Sequence, residues 1–207
     1  MLVMAEEFRR IARIGHITPF TFFEISCDSF KKYKILIKKL NKLKEKGSFK
    51  HDNMIIFNEH QEISRIESII HKEAIKAIIF LASFVESYIF DYSAIALGQG
   101  YTEKHIEKMD TISKLTIVPK LVTGKELSRD LNYWSGLNEL IKWRNKIIHN
   151  KTKDIIECLK NAQDFDPKDL YKMFNLEEIF KSVDDLFKEL NDIDPKGMHL
   201  IRYEFRL

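Results

Sequence analysis

The sequence predicts an all-α protein, a helical bundle in which long helices are joined by few turns. Only seven glycines and four prolines occur among the 207 residues, less than half the usual proportion of about 12%. Hydrophobic residues make up 44% of the chain and charged residues 31%, so the chain has enough apolar surface to fold. Along most of it, apolar side chains recur at three- and four-residue intervals, which is the period of a helix buried on one face.

Two amphipathic helices are predicted before the first long interruption. The first covers residues 5–14 and the second residues 24–46, with a turn at Thr18 and Pro19 between them and Gly47 at the end. Residues 31–50 contain nine lysines and one glutamate. That run is either a solvated helix face or a surface that faces RNA, and the sequence leaves both interpretations open.

A long helix is predicted from Asn58 to the residue before Gly98. Asn58 suits an N-cap, and Gln61 stands where a capping box places its second residue. Between residues 77 and 90 the side chains are apolar or small on every side, and Glu86 is the only charge. A helix of this kind is surrounded by protein. It therefore lies at the centre of a bundle, in a subunit interface, or in both.

Shorter helices follow. Residues 102–109 and 110–118 read as two helical pieces, the second stopped by Pro119, and Thr123 with Gly124 marks a turn. Residues 136–150 form the next predicted helix, capped by Asn132 or Ser135.

The C-terminal part is predicted to contain more helix and one short strand. Asp166 and Pro167 suit the start of a helix, and the capping box at residues 175–178 opens another that runs to about residue 190. In residues 201–207 apolar and charged side chains alternate, which indicates a strand.

The charge distribution, the cysteines and the longest apolar runs indicate which kinds of site and which cellular location to expect. The formal net charge is +3, yet residues 154–194 carry twelve acidic residues and five lysines. Cys27 and Cys158 stand alone, so neither a zinc site nor a disulfide framework is indicated. No signal-peptide core and no apolar run of about 18 residues occurs. We expect a cytoplasmic protein that does not enter a membrane.

Arg144 is the most informative anomaly. At 100° per residue it falls near the middle of an apolar stripe, whose other members are Leu137, Leu140, Ile141, Ile147 and Ile148. An unpaired buried charge is costly, so Arg144 must meet a carboxylate, reach a water-filled cleft, or do both. Glu86, the single charge in the apolar part of the long helix, is its expected partner. Asn145 and His149 are four residues apart and share one face at the border of the stripe.

These residues resemble the HEPN (higher eukaryote and prokaryote nucleotide-binding) domains. Residues 144–149, Arg-Asn-Lys-Ile-Ile-His, are similar to that family's Arg-x4-His signature, and residues 78–90, with Glu86 among apolar neighbours, resemble its long core helix. The resemblance covers residues 58–160. It divides the chain into a basic N-terminal helical extension (1–57), a HEPN-like core (58–160), and C-terminal helices with a short strand that pack on the core (161–207).

The resemblance implies an up-and-down bundle that forms a homodimer, in which two Arg-x4-His motifs face a shared cleft. Many HEPN proteins are metal-independent endoribonucleases that serve as toxins or antiviral effectors, and others bind nucleotides or partner proteins without catalysis. One branch carries a modifiable tyrosine two residues after the histidine. Lys151 occupies that position here, which speaks against this type of control.

Ribonuclease chemistry suits the residue types. RNA supplies its own nucleophile, so an imidazole that transfers protons near neutral pH and a guanidinium that holds two phosphate oxygens are sufficient. We expect Arg144, Asn145, His149 and Glu86 to form the catalytic group, with no metal and no cofactor. The residues expected to bind RNA are Lys142, Lys146, Lys151 and Lys153. An antitoxin or regulatory protein is a possible partner, and the alternative is a non-catalytic nucleotide-binding or interaction module.

Overall fold

The computed structural model describes residues 19–47, 53–128, 132–149 and 174–195. These residues form six α-helices and no strand. The helices are α1 (Pro19–Gly47), α2 (Asn53–Leu97), α3 (Gln99–His105), α4 (Thr111–Thr123), α5 (Tyr133–Ile148) and α6 (Leu176–Ile193). The prediction of an all-α protein is confirmed for this part of the chain. The helix predicted at residues 5–14, the helix start at Asp166 and the strand at residues 201–207 lie outside it.

Helix α2 is the centre of the bundle and packs against the other five helices. In its middle section, residues 77–90, eight residues are buried, and Ile78, Leu81, Phe84 and Ile89 among them are fully so. The other six, at positions 79, 80, 83, 86, 87 and 90, are half-buried, so the described helices do not enclose this section on every side as its composition predicted. The helix also runs across the position, between residues 57 and 58, at which the resemblance places the end of an N-terminal extension.

Helices α1 and α2 form a long antiparallel hairpin. Phe23 stacks at an angle on Phe84, with 4.9 Å between ring centroids, and the hydroxyl of Ser26 donates a hydrogen bond to the carbonyl of Ala77. Further along α1, its partners on α2 have lower residue numbers, which defines the antiparallel direction. The apolar face of α1 is therefore used inside the bundle.

Helix α6 closes the bundle by inserting aromatic side chains between α1 and α2. Phe180 stacks on Phe30 at 4.2 Å between centroids, and Phe187 stacks on Phe84 at 5.1 Å. Helix α5 packs closely against α6 at Gly136. A Cβ atom at this position would lie only 2.6 Å from Cβ of Ser182, so the close approach requires glycine. This contact fixes the position of the helix that bears Arg144.

Several predicted helix ends are confirmed. Helix α2 stops at Gly98, whose φ of 92° is left-handed. The turn predicted at Gly124, whose φ is 74°, is also present, although it ends α4 itself and not a separate segment after Pro119. Such angles favour glycine because it has no Cβ. The side chain of Asn175 accepts a hydrogen bond from the backbone N–H of Glu178 and caps α6 as the capping box predicted.

Other boundaries were predicted wrongly. Helix α1 begins at Pro19 and not at residue 24, because proline is well suited to the first helical position. Helix α2 begins at Asn53 and not at Asn58, since neither glycine nor proline separates the two. Pro119 lies inside α4. Its ring keeps a helical φ and removes one hydrogen bond, while burial of Leu115 and Val118 holds the helix together.

Within the part of the chain that the structure describes, no helix combines the length and apolar character needed to cross a membrane.

Candidate functional site

Arg144 lies on the packing face of α5, as its position in the apolar stripe predicted. Leu137 and Leu140, seven and four residues earlier, are buried, and α5 packs this face against α2 and α6. The side chain of Arg144 nevertheless keeps 28% of its surface exposed. The guanidinium is therefore at the edge of the bundle, where solutes can approach it.

The predicted partner of Arg144 is present. Nη2 of Arg144 donates a hydrogen bond to Oε2 of Glu86 over 3.2 Å, and the two residues are 58 positions apart in the sequence. Glu86 is 38% exposed. The pair thus satisfies both expectations for a charge on an apolar stripe: it meets a carboxylate, and it also reaches solvent.

Lys114 is a third charged residue in this group, and it was not predicted from the sequence. Its ammonium nitrogen lies 3.8 Å from Oε1 of Glu86, and its side chain is only 4% exposed. Lys114 stands on the buried stripe of α4 with Leu115 and Val118. The signal that identified Arg144, a charge on an apolar helix face, was also present here, because the predicted helical piece 110–118 contains Lys114 together with Leu115 and Val118.

Glu86 therefore bridges two cations, one through each carboxylate oxygen. The three side chains together carry one net positive charge. Nη1 of Arg144 also donates to Oδ1 of Asn145 over 2.9 Å, so the guanidinium is oriented from two sides. Its Nε is buried and has no acceptor among the described residues. A buried donor without an acceptor costs about 1–3 kcal/mol. Because this N–H is closed to solvent, an anion that binds Arg144 must do so through the other N–H groups of the guanidinium.

His149 caps the C-terminal end of α5. Its backbone N–H donates to the carbonyl of Asn145 over 2.9 Å, and its φ and ψ of −106° and 45° end the helix. The side chain is exposed. Arg144, Asn145 and His149 thus lie within the last two turns of one helix, with the imidazole at the solvent side.

The lysines predicted to bind RNA are only partly described. Lys142 and Lys146 are exposed on α5, and the ammonium of Lys146 lies 5.0 Å from the centre of the Trp143 ring. Lys151 and Lys153 lie outside the described residues.

A groove of about 440 Å³ lies between α4 and α5, and it was not predicted from the sequence. Half-buried Trp134 and exposed Asn138 line it from α5. The residues that line it from α4 are Ile112, Ser113, Thr116 and Ile117. Trp134, Asn138, Ile141 and Asn145 succeed one another at intervals of four, three and four residues, so the same face of α5 continues from the groove to Asn145. Asn138 and Asn145 are about 10 Å apart along the axis.

Comparison with known proteins identifies no relative. No protein-family model matches the chain, and no curated protein or solved structure is significantly similar to it. The resemblance to HEPN domains therefore remains a hypothesis that rests on residues 144–149 and on Glu86.

Proposed function

We propose that this protein is a metal-independent endoribonuclease of the HEPN type, acting as a toxin or an antiviral defence effector. The observation that carries the proposal is the arrangement at the end of α5. Arg144 is held by Glu86 and Asn145 at a solvent-accessible edge, and an exposed histidine follows five residues later on the same helix. A purely structural bundle would be better served by a leucine at this position than by an arginine that is 28% exposed and whose buried Nε has no acceptor among the described residues.

The proposed reaction uses the 2′-hydroxyl of RNA as the nucleophile. Its oxygen forms a bond to phosphorus while the bond from phosphorus to the 5′ oxygen breaks, which leaves a 2′,3′-cyclic phosphate and a 5′-hydroxyl. His149 takes the proton from the 2′-hydroxyl or returns one to the leaving oxygen. Arg144 binds the phosphate oxygens and stabilises the charge that develops on them.

A homodimer is part of the proposal, because two copies of the motif would supply both a proton acceptor and a proton donor. Ile148, the neighbour of His149, keeps 47% of its surface exposed, and Leu121 keeps 49%. An interface with a second copy at this end of α5 would cover Ile148 together with the motif. Sedimentation at micromolar concentration that detects only monomer would remove the shared-cleft arrangement.

The test of catalysis is cleavage of a defined RNA in EDTA by wild-type protein and by His149→Ala. We expect the substitution to reduce the cleavage rate by about 10² to 10⁴, the usual effect of losing one proton-transfer group. His105→Ala is the matched control, since His105 is an exposed histidine on α3, outside the site, and should retain wild-type activity. An oligonucleotide of the same sequence made of DNA should not be cleaved.

The second candidate function is a module that binds a nucleotide or a partner without catalysis. The groove beside Asn138 favours it, because three apolar and three polar residues line it and a small ligand needs both packing area and hydrogen-bonding groups. RNA that is bound but never cleaved, with equal behaviour of wild type and His149→Ala, would support this alternative over the nuclease.

A further inference from the structure

The lysine-rich helix α1 separates into two sets of side chains. Three lysines form ion pairs with carboxylates of α2: Lys32 with Glu73 at 2.8 Å, Lys39 with Glu62 at 3.0 Å, and Lys44 with Glu67 at 2.8 Å. The charges of this first set are balanced within the hairpin and contribute to holding α1 on α2.

The second set forms what we call the lysine stripe: Lys31, Lys34, Lys38 and Lys42. Their spacing of three, four and four residues places them on one face of α1, about 16 Å long. None of them takes part in an ion pair between described residues, and Lys31, Lys38 and Lys42 are exposed. No acidic residue of the sequence lies between Asp28 and Glu45, so every charge within the stripe is positive.

A linear array of cations fits a linear polyanion. The alternative, an anionic membrane surface, requires an amphipathic helix whose apolar face is free to enter the lipid. The apolar face of α1 is already buried in the bundle through Phe23, Phe30 and Leu40. Among residues 31–42, all of which are described, Ile35 is the one large apolar side chain that is exposed, at 67%. The surface thus offers charge with little apolar area, which is the character of a phosphate-backbone contact.

The hairpin places the stripe at a defined distance from the candidate site. Phe23 of α1 contacts Phe84 of α2. Phe84 precedes Glu86 by two residues, about half a helical turn, so Phe23 marks the level of Glu86 along the hairpin. Lys31 follows Phe23 by eight residues and Lys42 by nineteen, so the stripe extends from about 12 Å to about 29 Å along the axis from that level. A nucleic acid bound along the stripe is therefore displaced along the axis of α1 from the level of Glu86, the partner of Arg144.

We propose that the lysine stripe is a second RNA-binding surface, which holds the backbone of a single-stranded RNA at a distance from Arg144 and His149. The choice of RNA as the polyanion rests on the proposed function, whereas the existence of the surface rests on the ion-pair pattern of α1. Binding through the stripe requires no catalysis, so it can be measured separately from cleavage.

The experiment measures binding of a fluorescein-labelled 20-nucleotide oligo(U) RNA by anisotropy, with His149→Ala as the parent protein so that the RNA stays intact. The stripe variant combines Lys31→Gln, Lys38→Gln and Lys42→Gln. We expect it to bind at least tenfold more weakly at 50 mM salt. The slope of log K against log salt should fall by about 2, since each lost contact with single-stranded RNA removes about 0.7.

Two controls separate the stripe from net charge and from folding. A variant with Lys104→Gln, Lys108→Gln and Lys181→Gln removes the same charge from exposed lysines elsewhere and should bind within about threefold of the parent. Lys39→Gln removes a lysine that is already paired with Glu62 and should leave the salt slope unchanged. Glutamine is nearly as good a helix former as lysine, so all variants should melt within a few degrees of the parent.

Equal affinity of the stripe variant and the charge-matched control would overturn the proposal, as would a parent protein that does not bind oligo(U) at 50 mM salt. If the stripe variant no longer binds vesicles of phosphatidylcholine and phosphatidylserine (3:1) but still binds RNA like the parent, the stripe is a membrane-binding surface. That result would also overturn the proposal. A wild-type chain that binds through the stripe yet cleaves no RNA refutes the nuclease alone. A chain that cleaves while the stripe variant binds normally refutes the stripe alone.

Discussion

Removing Glu86 tests the three-charge group directly, because one carboxylate serves both Arg144 and Lys114. A fully buried ion pair loses about 3–5 kcal/mol when one partner is removed, but Arg144 and Glu86 are both partly exposed, so water replaces much of that contact. Lys114 is different, since it is 4% exposed and has little access to solvent. We therefore expect the cost of Glu86→Ala to come mainly from Lys114.

The magnitude follows from the geometry. Unit charges at 3.8 Å attract by about 4 kcal/mol at an effective dielectric constant of 20. The exposure of Glu86 screens that attraction, and halving it gives about 2 kcal/mol of lost unfolding free energy for Glu86→Ala. Glu62→Ala is the matched control, because its pair with Lys39 is half-exposed on both sides. It should cost less than about 0.5 kcal/mol.

The assay is urea denaturation of four proteins: wild type, Glu86→Ala, Lys114→Met and the double variant. In the Lys114→Met background no buried ammonium is left unpaired, so Glu86→Ala should cost at most about half as much as in wild type. An equal cost of Glu86→Ala in both backgrounds, or a cost below 0.5 kcal/mol in wild type, would refute the assignment to Lys114.

Three further predictions concern packing, pH and capping. Gly136→Ala should lower the unfolding free energy by about 1–3 kcal/mol, because the new methyl group would overlap Cβ of Ser182, which cannot rotate away; a melting temperature equal to that of wild type would contradict this. Burial lowers the pKa of His71 below its usual 6.5, so the unfolded chain binds the proton more readily and stability should fall as the pH decreases below about 6.5. Melting at pH 7.5 and 5.5 checks this, and His71→Gln should reduce the difference. Asp110→Ala should cost about 1 kcal/mol in urea denaturation, because Asp110 accepts the backbone N–H of Ser113 at the start of α4, and Asp110→Ser should recover most of it.

The sequence was sufficient to pair Arg144 with Glu86 because each is a charge in an otherwise apolar helix stripe, and such charges have few partners inside a bundle. It was insufficient at Pro119, where local propensity predicts a helix end and burial of the neighbouring side chains prevails. Lys114 was missed for a different reason: its stripe with Leu115 and Val118 lies within the predicted piece 110–118, but a lysine there can also point to solvent, and only the packing of α4 shows that it is buried.

The lysines of α1 show a different limit of sequence reasoning. Their number and spacing predict an exposed cationic face, but which of them meet acidic partners depends on how α1 is rotated and shifted against α2. Lys38 and Lys39 are neighbours in sequence, and only Lys39 pairs with a described carboxylate. The groove beside Trp134 is likewise a product of how α4 and α5 dock, and neither helix alone indicates it.

The late position of α6 in the chain has a consequence during synthesis. The hairpin of α1 and α2 is complete at Leu97, but the helix that covers its aromatic side begins at Leu176. At a translation rate of roughly 5–20 residues per second, the ribosome needs about 4–16 s to reach it. During those seconds Phe30 and Phe84 lack Phe180 and Phe187. A growing chain therefore exposes the aromatic side of the α1–α2 hairpin to chaperones and to neighbouring nascent chains. This exposure lasts until α6 is made, and only then can α5 pack against α6.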